Sequence, residues 1–123
     1  MHKAQNHIVL SDEELFRLID ATIHRERLYA DPTLQRGDIM KRYGLRRQHL
    51  NEILNTYAGG QGFPSYINTM RLEEAVILMK EKPGMSLSEI AEAVGFSLPN
   101  FRIQFKKRYG VNPIDFRIAQ QAR

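Results

Sequence analysis

The sequence predicts an all-α fold of seven helices, arranged as two similar lobes joined by one long helix. Three observations carry that prediction. A set of packing residues recurs 51 positions further along, with no gap. Asp38-Ile39 returns as Glu89-Ile90, Gly44-Leu45 as Gly95-Phe96, Leu50 and Leu54 as Phe101 and Phe105, and Gly59 as Gly110. Within each copy, apolar residues fall at helical spacing between turn signals. The segment between the copies, about residues 64–81, is apolar around most of its circumference, as a helix packed between two layers is. Residues between the matched positions differ freely in charge. What repeats is therefore a packing scheme, the signature of two copies of one small fold.

Local signals place each element in turn. Residues 1–10 form a tail or linker remnant. Ser11-Asp12-Glu13-Glu14 is a capping box that opens a helix to about Leu28. Leu15, Ile19 and Ile23, with Phe16, Leu18 and Thr22 beside them, give that helix an apolar side. Tyr29 to Pro32 is a turn. Thr33 is the expected cap of a helix from Leu34 to Tyr43. Gly44 then ends that helix in the left-handed conformation glycine adopts without steric cost. Arg46 to Tyr57 is the next helix, with Leu50, Ile53, Leu54 and Tyr57 on its inner face.

Residues 58–64 form a flexible glycine-rich loop, and the long helix follows. About 18 residues at 1.5 Å each span roughly 27 Å, which can hold two helices about one turn of B-DNA apart. Pro83-Gly84 ends it. In the second copy Ser86-Leu87-Ser88-Glu89 is again a capping box, its helix runs to about Val94, and Gly95 ends it. Leu98 to Tyr109 places Phe101 and Phe105 inward. Asn112 caps a last helix with Pro113 at its first position. The first lobe is thus about 11–58, the linker helix about 64–81 and the second lobe about 86–120, within one domain over 11–123.

Helix, glycine turn, helix is the helix-turn-helix pattern, whose second helix can enter a DNA major groove. One such hairpin is weak evidence, since helical hairpins with glycine in the turn are common. Two with the same spacing are much stronger. The 123 residues suit one domain, and their 42% hydrophobic and 26% charged content is ordinary for a soluble globular protein. With no cysteine, disulfides and thiol chemistry are excluded and a reducing, cytoplasmic setting is expected. No apolar stretch reaches the roughly 20 residues that span a bilayer, and no signal peptide opens the chain. No membrane contact is expected of this segment. His2, His7, His24 and His49 show no ligand spacing, so no metal, cofactor or catalytic residue is expected.

Charge placement says more than the net +4. Residues 1–62 hold 9 Lys/Arg against 8 Asp/Glu, and residues 63–123 hold 9 against 6. Lys41-Arg42 with Arg46-Arg47 flank the first glycine turn, and Lys106-Lys107-Arg108 lie late on the last helix of copy two. Such clusters are often only solvated helix faces. Two of them beside two candidate recognition helices favour phosphate contact.

Ile90-Ala91-Glu92-Ala93-Val94-Gly95-Phe96, Phe105-Lys106-Lys107-Arg108-Tyr109-Gly110, Pro113 and Phe116-Arg117 resemble the C-terminal signature of AraC/XylS-type transcription regulators. Phe63, Tyr66-Ile67-Asn68, Arg71-Leu72 and Ala75 are similar to that family's linker helix. Gly44 with Arg46-Arg47-Gln48-His49-Leu50 is similar to its first helix-turn-helix. The resemblance covers about residues 12–120. It implies the DNA-binding domain of a longer bacterial regulator, with double-stranded DNA as partner and RNA polymerase as a further one. It also implies an isolated domain that is monomeric and a full-length protein able to dimerise.

The chain departs from the family pattern in places. Only Ser97-Leu98-Pro99-Asn100 separates Phe96 from Phe101, one residue fewer than usual, so the second turn is expected to be tighter or its helix to start later. The loop Gly59-Gly60-Gln61-Gly62 is one residue longer than usual. Glu52 and Asn55 replace positions that are often basic, and Ile103 replaces a polar or basic one.

Helix geometry assigns the roles. With Leu50, Ile53 and Leu54 inward, Arg47, Gln48, Asn51, Glu52 and Asn55 lie outward. Gln and Asn can pair with adenine, Arg with guanine, and Glu can accept from cytosine. Matching family positions place Gln48, Asn51 and Glu52 in the groove, and the repeat offset maps these onto Pro99, Arg102 and Ile103. The expected base contacts are Arg47, Gln48, Asn51, Glu52, Arg102 and Ile103, the last through a thymine methyl. Arg46, Lys106 and Lys107 are placed for phosphates, which position without specifying sequence. Arg71 is expected as an ion-pair partner or a phosphate contact, and His49 as a structural or backbone-contacting residue. The competing reading is a helical adaptor whose basic faces bind an acidic protein.

Overall fold

The computed structural model describes residues 9–122, which hold seven α-helices and no strand. They are α1 (Asp12–Arg25), α2 (Arg36–Tyr43), α3 (Arg47–Tyr57), α4 (Phe63–Glu81), α5 (Leu87–Ala93), α6 (Leu98–Tyr109) and α7 (Pro113–Gln121), with a single 3-10 turn over Leu28–Ala30. Of the tail expected over residues 1–10, residues 1–8 lie outside the described residues. Val9 and Leu10 are exposed.

Both capping boxes form, and the repeat acts pair by pair. Glu14 accepts from the backbone N–H of Ser11 at 2.9 Å while Ser11 Oγ accepts from that of Glu14 at 3.1 Å. Ser86 and Glu89 reproduce this at α5, at 2.8 and 3.0 Å. At α2 the matched carboxylate is Asp38, which accepts from the N–H of Gln35 at 2.8 Å. Gly44 and Gly95 both take positive φ, 63° and 97°, and Gly59 and Gly110 do likewise at 72° and 79°. Ile39 and Ile90, Leu50 and Phe101, and Leu54 and Phe105 are each no more than 1% exposed. The second turn does not start its helix later: α6 opens at Leu98, the position 51 residues after Arg47, where α3 opens.

Two local expectations fail for identifiable reasons. Thr33 does not cap α2. The Asp31 carboxylate takes both its N–H and its hydroxyl, at 2.8 and 2.7 Å, in a local turn that delays the helix until Arg36. Likewise α1 stops at Arg25, because Arg27 adopts a left-handed φ of 51°. That conformation costs a non-glycine residue about 1–2 kcal/mol, and it is held by the bonds the Arg27 guanidinium makes to Glu74.

The core divides into two clusters that share α4. Phe63, Tyr66, Ile67 and Met70 pack with Ile19, Ile23, Ile39, Leu50 and Leu54. Leu72, Ala75 and Met79 pack with Ile90, Val94, Phe96, Phe101 and Phe105. Each Val, Leu, Ile, Phe or Met among them contributes about 1.5–3 kcal/mol when fully buried. The long helix is not buried on every side, since Ile77 is half exposed. Leu18 and Tyr57 lie at the edge rather than inside, Tyr57 stacking on Phe16 with ring centres 5.9 Å apart.

Candidate nucleic-acid interface

The outward face of α3 is as expected from its period. Arg47, Gln48, Asn51, Glu52 and Asn55 are exposed while Leu50, Ile53 and Leu54 are sealed. Gln48 and Glu52 touch only loosely, at 3.4 Å, which leaves their hydrogen-bonding groups available to a partner. His49, beside them, bonds the Asp12 carboxylate at 2.8 Å rather than any backbone group. It thereby ties the start of α3 to the start of α1.

On α6 the matching face carries Pro99, Arg102 and Ile103, then Lys106 and Lys107, all exposed. Ile103 is 62% exposed, which no packing role explains. The α6 cap is Ser97, whose hydroxyl accepts from the N–H of Asn100 at 3.3 Å. Two shallow depressions that share Gln61 lie between the two helices. A shallow groove joins Gln48, Asn51, Glu52 and Asn55 to the Gly60-Gln61-Gly62 loop. A cleft then runs past Asn68 and Thr69 of α4 to Gln104, Lys107 and Arg108.

The Gln61 side chain ties the loop to the start of α4. Gln61 donates to the Ala58 carbonyl at 2.9 Å and accepts from Ser65 and Thr69 at 3.1 and 2.9 Å. Gln61 followed by hydroxyls at four and eight positions is the sequence signal for these bonds.

Pairing sorts the basic residues. Arg42 bonds both oxygens of Glu26 at 2.9 and 2.7 Å, so this member of the first cluster is already engaged. That bond holds the Glu26 carboxyl below and the Arg42 guanidinium above their ordinary pKa values. Arg108 lies over Tyr109 and 3.8 Å from Glu73. By contrast, among the described residues no carboxylate lies within ion-pair reach of Arg46, Arg47, Arg102, Lys106 or Lys107.

Arg71 departs from expectation. It is buried and makes neither an ion pair nor a surface contact. Instead it donates to the carbonyls of Tyr29 and Asp31 at 2.6 and 3.0 Å. Burial pushes its pKa down. These partners lie 42 and 40 residues away in the chain, beyond the reach of any local signal.

Two matched helices, each following a glycine turn, each sealed on one face and open on the other, define a tandem helix-turn-helix DNA-binding domain. A family model described as a helix-turn-helix domain matches residues 39–119. The chain belongs to the AraC/XylS-type family of transcription regulators, as their DNA-binding domain.

Among its relatives is the uncharacterized transcriptional regulatory protein YesN of Bacillus subtilis, 41% identical over 63 residues. That match covers 50% of this chain and 17% of the relative, so the chain spans only a small part of that protein's length. The C-terminal domain of the two-component response regulator yesN from Fusobacterium nucleatum superposes with a TM-score of 0.74 at 28% identity, over 84% of this chain and 97% of that one. The C-terminal domain of AraT, a response regulator from Geobacillus stearothermophilus, gives 0.75 at 23% identity over 84% and 83%. A DNA-binding transcriptional dual regulator from Escherichia coli gives 0.72 at 15% identity over 95% and 98%. The last two likenesses concern the fold alone. Among the described residues no helix is long and apolar enough to cross a membrane.

Proposed function

We propose that the domain reads duplex DNA by seating α3 and α6 in successive major grooves on one side of the double helix, as the DNA-binding part of a longer bacterial regulator. The observation that carries this reading is the matched exposure of the two helices. The same offset that seals Leu50 with Phe101 and Leu54 with Phe105 opens Asn51 with Arg102 and Glu52 with Ile103. In this reading Arg47, Gln48, Asn51 and Glu52 contact base edges from α3, while Arg102 and Ile103 do so from α6. Arg46, Lys106 and Lys107 neutralise phosphates, and their lack of acidic partners supports that role.

Residues 11–123 act as the folded unit, working in the cytoplasm where the DNA is. As a monomer the unit reaches only two grooves and binds weakly. The full-length protein gains affinity as a dimer on tandem or inverted sites and meets RNA polymerase at the promoter. Selection of bound sequences from a random duplex library tests the reading. The expected product is a site with two contacted major-groove segments about one helical turn, roughly 34 Å, apart. Failure to bind any duplex at low salt, with binding to an acidic protein retained, would establish the adaptor instead.

A further inference from the structure

The two reading helices are joined by more than α4. The segment Arg27 to Asp31 leaves the first lobe and lies against the second lobe's glycine turn. Arg71, at the midpoint of α4, fastens the two together. Its Nε and Nη2 hold the carbonyls of Tyr29 and Asp31, and its guanidinium stacks 5.4 Å from the ring centre of Phe96. Gly95 completes the seam. A Cβ there would stand 2.9 Å from the carbonyl oxygens of Tyr29 and Ala30 and 3.0 Å from Arg71 Nε. A second layer lies outside it. Arg27 bonds Glu74 at 2.7 and 2.8 Å and reaches the Ala93 carbonyl at 3.3 Å, while the Tyr29 hydroxyl donates to Glu74 at 2.6 Å.

A buried guanidinium without a carboxylate is a costly filler where apolar side chains of similar volume would pack. What it offers is direction. A planar fork bonded to two fixed carbonyls permits one orientation, whereas aliphatic contacts permit sliding. The carbonyls belong to the first lobe and the ring beneath the fork to the second.

We propose that this seam sets the spacing and rotational phase of the two DNA half-sites, with Arg71 and Gly95 as positioning residues that fix α3 relative to α6. The inference rests on the DNA-binding reading above. Adding one base pair between half-sites moves the second groove by about 3.4 Å and turns it by about 35°, and a seam of directed bonds does not absorb that change.

The test uses the selected site and two derivatives, with one base pair added or removed between its half-sites. The wild-type domain is expected to bind each derivative at least about tenfold more weakly, as a site with lost base contacts is bound. In Arg71→Met and Gly95→Ala, and more mildly in Arg27→Ala and Glu74→Ala, this penalty should shrink to about threefold or less. Binding to a lone first-lobe half-site at low salt should stay unchanged in all four. A merely structural role would weaken every duplex alike. Arg27→Ala and Glu74→Ala leave the buried core intact, so they decide the matter if the buried variants lose their helical circular dichroism. Folded variants that keep the wild-type spacing penalty would overturn the proposal. So would a wild-type domain that binds duplex but tolerates all three spacings, a result that leaves the DNA-binding reading standing. A wild-type domain that binds no duplex removes both.

Discussion

The two lobes each bury three aromatic residues, but α3 seals its core with leucines and α6 with phenylalanines. Leu50 and Leu54 of α3 meet Ile19, Ile23 and Ile39. Their counterparts Phe101 and Phe105 join a chain of rings, with Phe105 centred 5.5, 4.6 and 5.1 Å from Phe101, Tyr109 and Phe116. The outer faces differ in the opposite sense. The first presents amide, carboxylate and guanidinium groups, while the second presents one guanidinium, an isoleucine and a proline before its lysines. One backbone plan thus tolerates two inner-face chemistries, because the matched inward residues keep their burial and the matched glycines their positive φ.

The largest test of that contrast is in the cores. Phe105→Ala should fall near the top of the roughly 3–5 kcal/mol range for aromatic deletions, since three ring contacts are lost at once. Leu54→Ala should fall lower in its range of about 2–5 kcal/mol, since it removes no ring-to-ring contact. Urea denaturation of both variants measures the difference, and equal losses would break the distinction.

The glycine turns come next. Gly44 has open space around its missing Cβ, so Gly44→Ala meets only the left-handed strain, about 1–2 kcal/mol. Gly95 faces backbone oxygens at 2.9 Å, and Gly95→Ala should cost at least about twice as much as strain and overlap add. Thermal unfolding that ranked the two equally would remove the seam from the account.

On DNA the contrast becomes one of information. Gln48→Ala and Arg102→Ala should each cost about 1–3 kcal/mol at one defined base pair and relax preference there. More positions should be specified under α3 than under α6. Replacing Lys106 and Lys107 with Ala should weaken all sequences alike and flatten the salt dependence by roughly one unit per lost phosphate contact. A base-by-base scan with equal information in both half-sites, or sub-nanomolar binding by the monomer, contradicts the asymmetry.

The smallest effect concerns acid. The backbone N–H of Ser86, followed by its hydroxyl, holds the Glu89 carboxyl below the ordinary carboxylate range. A depressed folded value means the stabilisation is present at neutral pH and is lost as pH falls through the glutamate range. Glu89→Gln should therefore lose stability at pH 7 and show a shallower decline between about pH 5 and 3. A decline as steep as that of the wild type would show that the second lobe's cap plays no part in it.

Most roles that depend on neighbours within one turn are legible in the sequence, with Thr33, taken up by Asp31, as an exception. Ser11, Ser86, Asn112, Gly44 and Gly95 all announce helix ends through side-chain reach or backbone freedom, and the period of α3 and α6 sorts inward from outward residues. Roles that depend on distant partners were not legible. The bonds of Arg42 to Glu26, His49 to Asp12 and Arg71 to Tyr29 join residues brought together only by the fold. Arg27 is the instructive local failure. An arginine carries no sign of left-handed backbone, and its conformation is maintained by Glu74, 47 residues on.

That α4 supplies side chains to both clusters has a consequence for how the protein comes apart. Phe63 to Met70 close one core and Leu72 to Met79 the other, so neither lobe owns a complete interior. Cutting the chain at Arg71 strips each half of a wall. The duplication visible in the sequence is therefore not a duplication of folding units. Heat should melt the domain in one cooperative transition, with the amides at the middle of α4 exchanging only by global opening.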